Sequence, residues 1–249
     1  MRRPIRVAIG AGAATLALAG ITGGVVLVGR AGAPSPSPTP VIRVAGVDVS
    51  SHNRPIPWGA AATSGIRFVI ARATEGATQV DRAYATVREQ ATAAGLAFTA
   101  FHFARPDRTL GDAEREAEKF VLVSKLSSGD LVPVLDLEAS GSLGVRGLQI
   151  WTRTWLEAVG STLGVKPLIY TNADFWMTHM GNTTSFADAG YGLFVASWGT
   201  AEPVLPAFDW GGHGWTMWQT TSCGKVPGIP GCLDRDVFNG AILSSITIP

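Results

Sequence analysis

The sequence predicts an α/β fold, an irregular TIM-like β/α barrel of about eight strands with fewer helices in its C-terminal part. Three observations predict it. Short apolar, β-branched runs recur along the chain, and amphipathic segments of helical period alternate with the first of them. Beyond Thr171 the runs continue, but the gaps become Gly/Pro-rich and lose that period. Strand and helix in alternation imply a parallel sheet with crossover helices. An open doubly wound sheet is the competing architecture, and no GxGxxG follows the first strand to support a dinucleotide site.

The strand candidates are GVDVS (46–50), IRFVIARA (66–73), LAFTAFHF (96–103), LVPVLDLE (131–138) and PLIYT (167–171), then YGLFVASW (191–198), HGWTMWQT (213–220) and LDRDVF (233–238). Among the helices, DRAYATVREQATAAG places Ala83, Tyr84, Val87, Ala91 and Ala94 on one face and stops at Gly95, a residue suited to a left-handed cap. GDAEREAEKFVLVSKL opens with acids, where the helix dipole favours them, and has Lys125 near its end. LQIWTRTWLEAVGSTLG sets Leu148, Trp151, Trp155 and Val159 at helical spacing before Gly164, so these two tryptophans read as core.

Composition bounds the function. At 249 residues and 46% hydrophobic, the chain is long enough for one large core. Arg2, Arg3, Arg6, Arg30 and Arg43 all precede the first acid, Asp48, so of 20 basic and 19 acidic residues the body keeps 15 and 19. A slightly acidic body argues against a nucleic-acid partner, which calls for a basic stripe. Residues 1–30 join a basic head to an uncharged apolar stretch from Val7 to Gly29, and read as a signal peptide or signal anchor. A signal core takes about 7–15 residues and a membrane span about 20, so both a cleaved leader and a membrane tether through residues 7–29 stay open. Residues 31–43, with APSPSPTP, read as an extended Pro/Ser-rich linker, and residues 44–249 as the barrel domain. The expected location is secreted or extracytoplasmic. There Cys223 and Cys232, in the loop TSCGKVPGIPGCL, are expected to form a disulfide contributing about 2–3 kcal/mol.

In a parallel barrel the reactive face lies at the C-terminal ends of the strands. The polar residues so placed are Asp48 with Ser50 and Ser51, Thr74 and Glu75, His102, Asp136 and Glu138, Gln219 and Asp234. Asp136 and Glu138 are i and i+2 at the end of an apolar run, so both face one side, Cα atoms roughly 6.6 Å apart. Two carboxylates so placed cannot ionise independently, and a retained proton is what a general acid for glycosidic cleavage needs. In this reading Glu138, nearest the rim, donates the proton while Asp136 stays charged. The spacing falls between that of retaining enzymes, about 5–5.5 Å, and inverting ones, about 6.5–9.5 Å, and leaves the stereochemistry open. DxE alone is short and common. The competing reading pairs Glu138 with an arginine in the first turn of a loop or helix.

Trp58, Trp176, Trp198, Trp210, Trp215 and Trp218 lie in or beside loops and strand ends, where flat rings can stack on sugars. His52 and His102 with Asp48 raise a metal site as a rival, but the histidines are isolated, without HxH or HxxxH spacing. No GxSxG supports a serine nucleophile.

GVDVSSHN, FVIARATEG, FHFARP, PVLDLE, the YTNADFW segment, VASWG and WQTTSCGKVPGIPGCLDRDVFNG follow one another in the order found in family 25 glycoside hydrolases, and the chain resembles that family from about Gly46 to Gly240. The resemblance implies an eight-stranded barrel with reduced helices that hydrolyses the β-1,4 bond between N-acetylmuramic acid and N-acetylglucosamine in peptidoglycan glycan strands. It implies Glu138 as acid and Asp136 as its partner, Asp48 and Asp234 as further groove acids, and Asp234 in preference to Asp236. It also implies a substrate-assisted route steered by Asp136, with no metal or organic cofactor. Glu75, His102, Tyr170, Trp198, Trp218 and Gln219 are the expected sugar-binding residues. The chain departs from the family pattern at Arg72, Phe101 and Thr220, where Lys, Tyr and Tyr are usual. Two other classes remain as alternatives, a wall-carbohydrate-binding protein without turnover and a metal-dependent polysaccharide hydrolase.

Overall fold

The structure is a computed structural model that describes residues 42–249. The leader or anchor of residues 1–30, its apolar stretch at 7–29 and nearly all of the linker lie outside the described residues. Among the described residues no helix is long and apolar enough to cross a membrane.

The strands are β1 (Val44–Val49), β2 (Phe68–Glu75), β3 (Gln79–Val80), β4 (Ala97–Phe103), β5 (Val134–Asp136), β6 (Leu168–Asn172), β7 (Leu193–Ala196), β8 (Met217–Gly224) and β9 (Leu233–Phe238). They pair in the order β1-β9-β8-β7-β6-β5-β4-β2, and a further β1–β2 pairing closes the ring into an eight-stranded barrel, with β3 folded back on β2. Each sequence run contributes one barrel strand. The expected parallel sheet is interrupted at one place: β9 runs antiparallel to both β8 and β1. The physical reason is the connection, since a parallel return needs a crossover of a dozen or more residues and the loop from Cys223 to Cys232 is too short. A disulfide joins those two cysteines across the base of the loop, as expected.

Helices cover the outside of the first half. They are α1 (Trp58–Thr63), α2 (Tyr84–Ala93), α3 (Asp112–Ser124) and α4 (Val145–Leu163). Gly95 and Gly164 follow α2 and α4 with φ of 76° and 70°, the left-handed geometry that glycine adopts without a Cβ clash. In the second half the helices shrink to α5 (Ala173–His179), α6 (Ser185–Asp188) and α7 (Ala207–Gly211). α7 is a left-handed turn, with φ between 51° and 64° from Ala207 to Gly211. Such a turn costs roughly 1–2 kcal/mol per non-glycine residue, and it persists because Trp210 is locked in the core. The Trp210 ring sits 4.8 Å from that of Trp176, and its Nε1–H donates to the Tyr191 carbonyl at 2.8 Å.

Two apolar layers result from the period-two alternation of the strands. Phe68, Ile70, Phe101, Val134, Leu168, Tyr170, Phe194, Met217 and Phe238 point into the barrel, while Val47, Val69, Phe98, Leu135, Ile169, Val195 and Trp218 point out under the helices. Eight strands give an interior just wide enough for side chains to fill. At Gly46 a Cβ would stand 2.2 Å from the Phe68 ring, so that position admits only glycine. Leu243 and Ile246, in the 3-10 turn Leu243–Ile246, pack against the inner layer at the closed end. Trp58, Trp151, Trp155, Trp176, Trp210 and Trp218 are all buried, so of the six tryptophans read as sugar platforms four are core instead.

Candidate active site

The inner layer leaves a pocket of about 180 Å³ at the C-terminal end of the parallel strands, lined by Asp48, Ile70, Arg72, Phe101, Phe103, Asp136, Glu138, Tyr170, Gln219 and Asp234 among others. Alternation delivers these groups. Val134, Asp136 and Glu138 all line the pocket, whereas Leu135 and Leu137 lie in the outer layer. β9 brings its acid from the opposite direction: Asp234, near its start, is the register partner of Asp48 near the end of β1. An antiparallel strand thus places an N-terminal residue on the same rim.

Gln219 ties three walls together. Its Nε2–H donates to Asp48 Oδ2 at 2.7 Å, and its Oε1 accepts from Tyr170 Oη–H at 3.0 Å and Trp198 Nε1–H at 2.9 Å. The carboxyls crowd one another. Burial, and then the charge of Asp234, hold Asp48 well above the usual carboxylate range. Burial, and then Glu138 and Asp48, do the same for Asp136. Glu138, exposed at the rim, and Asp234 are also raised, chiefly by desolvation. Asp136 and Glu138 both line the pocket, and Asp136 Oδ1 is buried without a hydrogen-bond partner. Two neighbouring desolvated carboxyls cannot ionise independently.

Two recesses adjoin the pocket. One shares Arg72 and Phe103 with it and adds Glu75, Asp81, Arg82 and Arg105. There Glu75 takes Arg72 Nη1 at 3.0 Å and Arg105 Nη2 at 2.6 Å, so it stands beside the pocket rather than in it. The other shares Glu138 and adds Asn172, Asp174 and Trp198, whose ring is 54% exposed. The three form one groove with Glu138 on a boundary.

The sequence expectations divide accordingly. The pocket brings together Asp48, Asp136, Glu138, Tyr170, Gln219 and Asp234; Glu75 and Trp198 flank it. His102 and Trp218, expected to bind sugar, do not reach it. His102 is 0% exposed on the outer side of β4, with Nδ1 2.7 Å from Thr74 Oγ1 and Nε2 2.6 Å from Glu116 Oε2, its ring stacked 5.3 Å from Trp155. Trp218 lies under the outer layer and donates to the Ser197 carbonyl at 2.6 Å. Each neighbours an inward residue, Phe103 and Gln219, and alternation turns it away. Asp48, His52 and His102 do not converge, and among the described residues no group of three or more His, Cys, Asp or Glu is placed to hold a metal ion. Asp236, set aside in the sequence, is buried in the barrel on the same face of β9 as Asp234. Their i, i+2 spacing was the signal.

The profile of the family described as Glycosyl hydrolases family 25 matches residues 47–229. The chain belongs to that family. Among its relatives, lysozyme M1 of Streptomyces globisporus is 34% identical over 209 residues, covering 80% of this chain and 68% of that protein. The N,O-diacetylmuramidase of a Chalaropsis species is 30% identical over 214 residues, 80% and 95% of the two chains. Among solved structures, the bacterial lysozyme from Streptomyces coelicolor matches with a TM-score of 0.74 at 29% identity, over 82% of this chain and 94% of that one. The family GH25 lysozyme from Aspergillus fumigatus matches at 0.73 and 30%, over 82% and 97%. This family 25 chain is therefore a glycoside hydrolase, and its acid-lined pocket sits on the barrel rim where such chemistry belongs.

Proposed function

We propose that this family 25 enzyme is a lysozyme that acts outside the cytoplasmic membrane, cleaving the β-1,4 bond between N-acetylmuramic acid and N-acetylglucosamine in peptidoglycan. The observation that carries the reading is the Asp136–Glu138 pair, one buried and one at the rim of the same pocket. The names of the lysozyme and muramidase relatives support the substrate.

The single proton of the pair passes from Asp136 to Glu138 and from there to the leaving glycosidic oxygen, so Asp136 becomes charged just as positive character develops on the sugar. With Asp136 ionised, its carboxylate also accepts from the 2-acetamido N–H when the acetamido oxygen attacks the anomeric carbon. The carboxylate left on Glu138 then takes a proton from the incoming water, restoring the pair. Because Glu138 borders both the central pocket and the Trp198 recess, the sugar under attack occupies the pocket and the leaving sugar the recess. Asp48 and Asp234 complete the floor under the ring, and no metal or organic cofactor enters any step.

Residues 1–30 act as export leader or anchor and 31–43 as a spacer, a reading supported by the disulfide of the barrel. N-terminal sequencing of exported protein tests it. The activity is tested by digesting purified peptidoglycan. Fragments ending in reducing muramic acid, absent with Glu138→Gln, are the expected result, and reducing N-acetylglucosamine ends would overturn the bond assignment.

A further inference from the structure

Asp236 takes no part in the chemistry above. It is 1% exposed inside the barrel, one pleat below Asp234, and its register partners are Gly46 on β1 and Gln219 on β8. No neighbouring donor reaches it. Gly46 has no side chain, Gln219 Nε2 bonds Asp48 and makes no bond to Asp236, Tyr170 gives its hydroxyl to Gln219, and Arg235 turns outward to the Lys225 carbonyl. Neither Asp236 oxygen has a hydrogen-bond partner, and the carboxyl shares the inward face with Asp48, whose register partner Asp234 lies two residues away on the same strand. Asp48 accepts from Gln219, whereas a bare carboxylate at Asp236 would be buried without a single donor. Of the two, Asp236 is the one that keeps a proton.

We propose that Asp236 is a positioning residue, a carboxylic acid kept neutral inside the barrel whose O–H, together with Gln219, fixes the Asp48 carboxyl beneath the sugar. The titratable groups facing it are Asp48, Asp234 and Tyr170, with Arg235 on its own strand. Burial first, and then the charges of Asp48 and Asp234, push the Asp236 carboxyl well above the usual range, in agreement with the geometry. The role in turnover rests on the lysozyme reading; the neutral state does not.

Asp236→Asn keeps a donor in place as an amide N–H, and Asp236→Val removes it without burying a charge. At a pH above the ordinary carboxylate range, the infrared difference between the free wild-type protein and Asp236→Asn is expected to show a neutral-carboxyl carbonyl band belonging to Asp236, apart from the band of the Asp136–Glu138 proton common to both. On peptidoglycan, Asp236→Val is expected to lose about tenfold or more in kcat with KM within about twofold, and Asp236→Asn to restore kcat to within about threefold. A difference spectrum without that band overturns the neutral state. Wild-type kcat in a folded Asp236→Val, or an Asp236→Asn as impaired as Asp236→Val, overturns the positioning role. If no protein in the series cleaves peptidoglycan, the lysozyme reading fails, and the infrared band still decides the neutral state. Should Asp236→Val not fold, the band and the Asp236→Asn kinetics decide between them.

Discussion

Gln219 donates to Asp48 across 2.7 Å, and this bond fixes which way the amide points, since its oxygen is already taken by Tyr170 and Trp198. The three contacts join four strands or strand ends around one rim. Gln219→Leu would leave Asp48, Tyr170 and Trp198 each short of a partner. Buried polar groups without partners cost about 1–3 kcal/mol each, so a thermal melt several degrees lower, with a raised KM, is the expected outcome.

Glu138→Gln retains the side-chain shape and removes the transferable proton. A general acid contributes about 10²–10⁴ in rate, so a kcat loss of that order with a nearly unchanged KM is expected from steady-state digestion assays. Asp136→Asn is expected to fall comparably, because it can neither pass a proton to Glu138 nor become charged. Wild-type kcat in either variant would remove that residue from the mechanism.

Activity and stability should share a pH dependence. Asp48, Asp136, Glu138, Asp234 and Asp236 all have folded-state values raised by burial. A raised folded value means that the unfolded state releases protons first, so the contribution of these five groups to stability is greatest below the ordinary carboxylate range and declines as pH rises through the raised values. The kcat/KM profile should lose activity over the same interval, as the Asp136–Glu138 proton leaves. Melting curves against pH are expected to flatten on the alkaline side in Asp48→Asn, and an unchanged slope would contradict this account.

His102 gives a control outside the pocket. His102→Phe would keep the stack on Trp155 but abandon Thr74 and Glu116, both fully buried. Thr74 loses its partner while Glu116 keeps the Arg105 N–H at 3.1 Å, so a destabilisation of about 1–3 kcal/mol is expected in chemical denaturation, with KM unchanged in the folded fraction. An altered KM would return His102 to the sugar site.

Trp198→Ala tests the direction of the glycan. The exposed ring forms one side of the recess beyond Glu138, and loss of a sugar-stacking face should raise KM for polymer while sparing hydrolysis of substrates with a small synthetic leaving group. Equal losses on both would place the leaving sugar elsewhere.

The barrel and its acids were legible because they follow from local rules. Apolar runs ending in polar residues mark the rim, and Asp136 with Glu138 share a face whatever the phase of the strand. The inward side of β4 and β8 was not legible. LAFTAFHF and HGWTMWQT are apolar on both faces, so nothing in them separates His102 from Phe103 or Trp218 from Gln219. β2 adds a bulge between Arg72 and Thr74, which turns Thr74 outward toward His102 and leaves Glu75 clamped by Arg72 and Arg105. A period-two count along the sequence cannot see that extra residue. Asp236 was visible two positions from Asp234, and only the depth of the barrel distinguishes them.

In the parallel strands the chain climbs to the mouth and then departs, so segments added after β2 or β7 would pile onto the rim and leave the floor untouched. β9 reverses that order. Asp234 lies two residues past Cys232, and whatever happens in the preceding loop arrives at an acid with no helix to absorb it. Slack in that loop would shift a floor carboxyl, and it is there that the chain carries its covalent clasp.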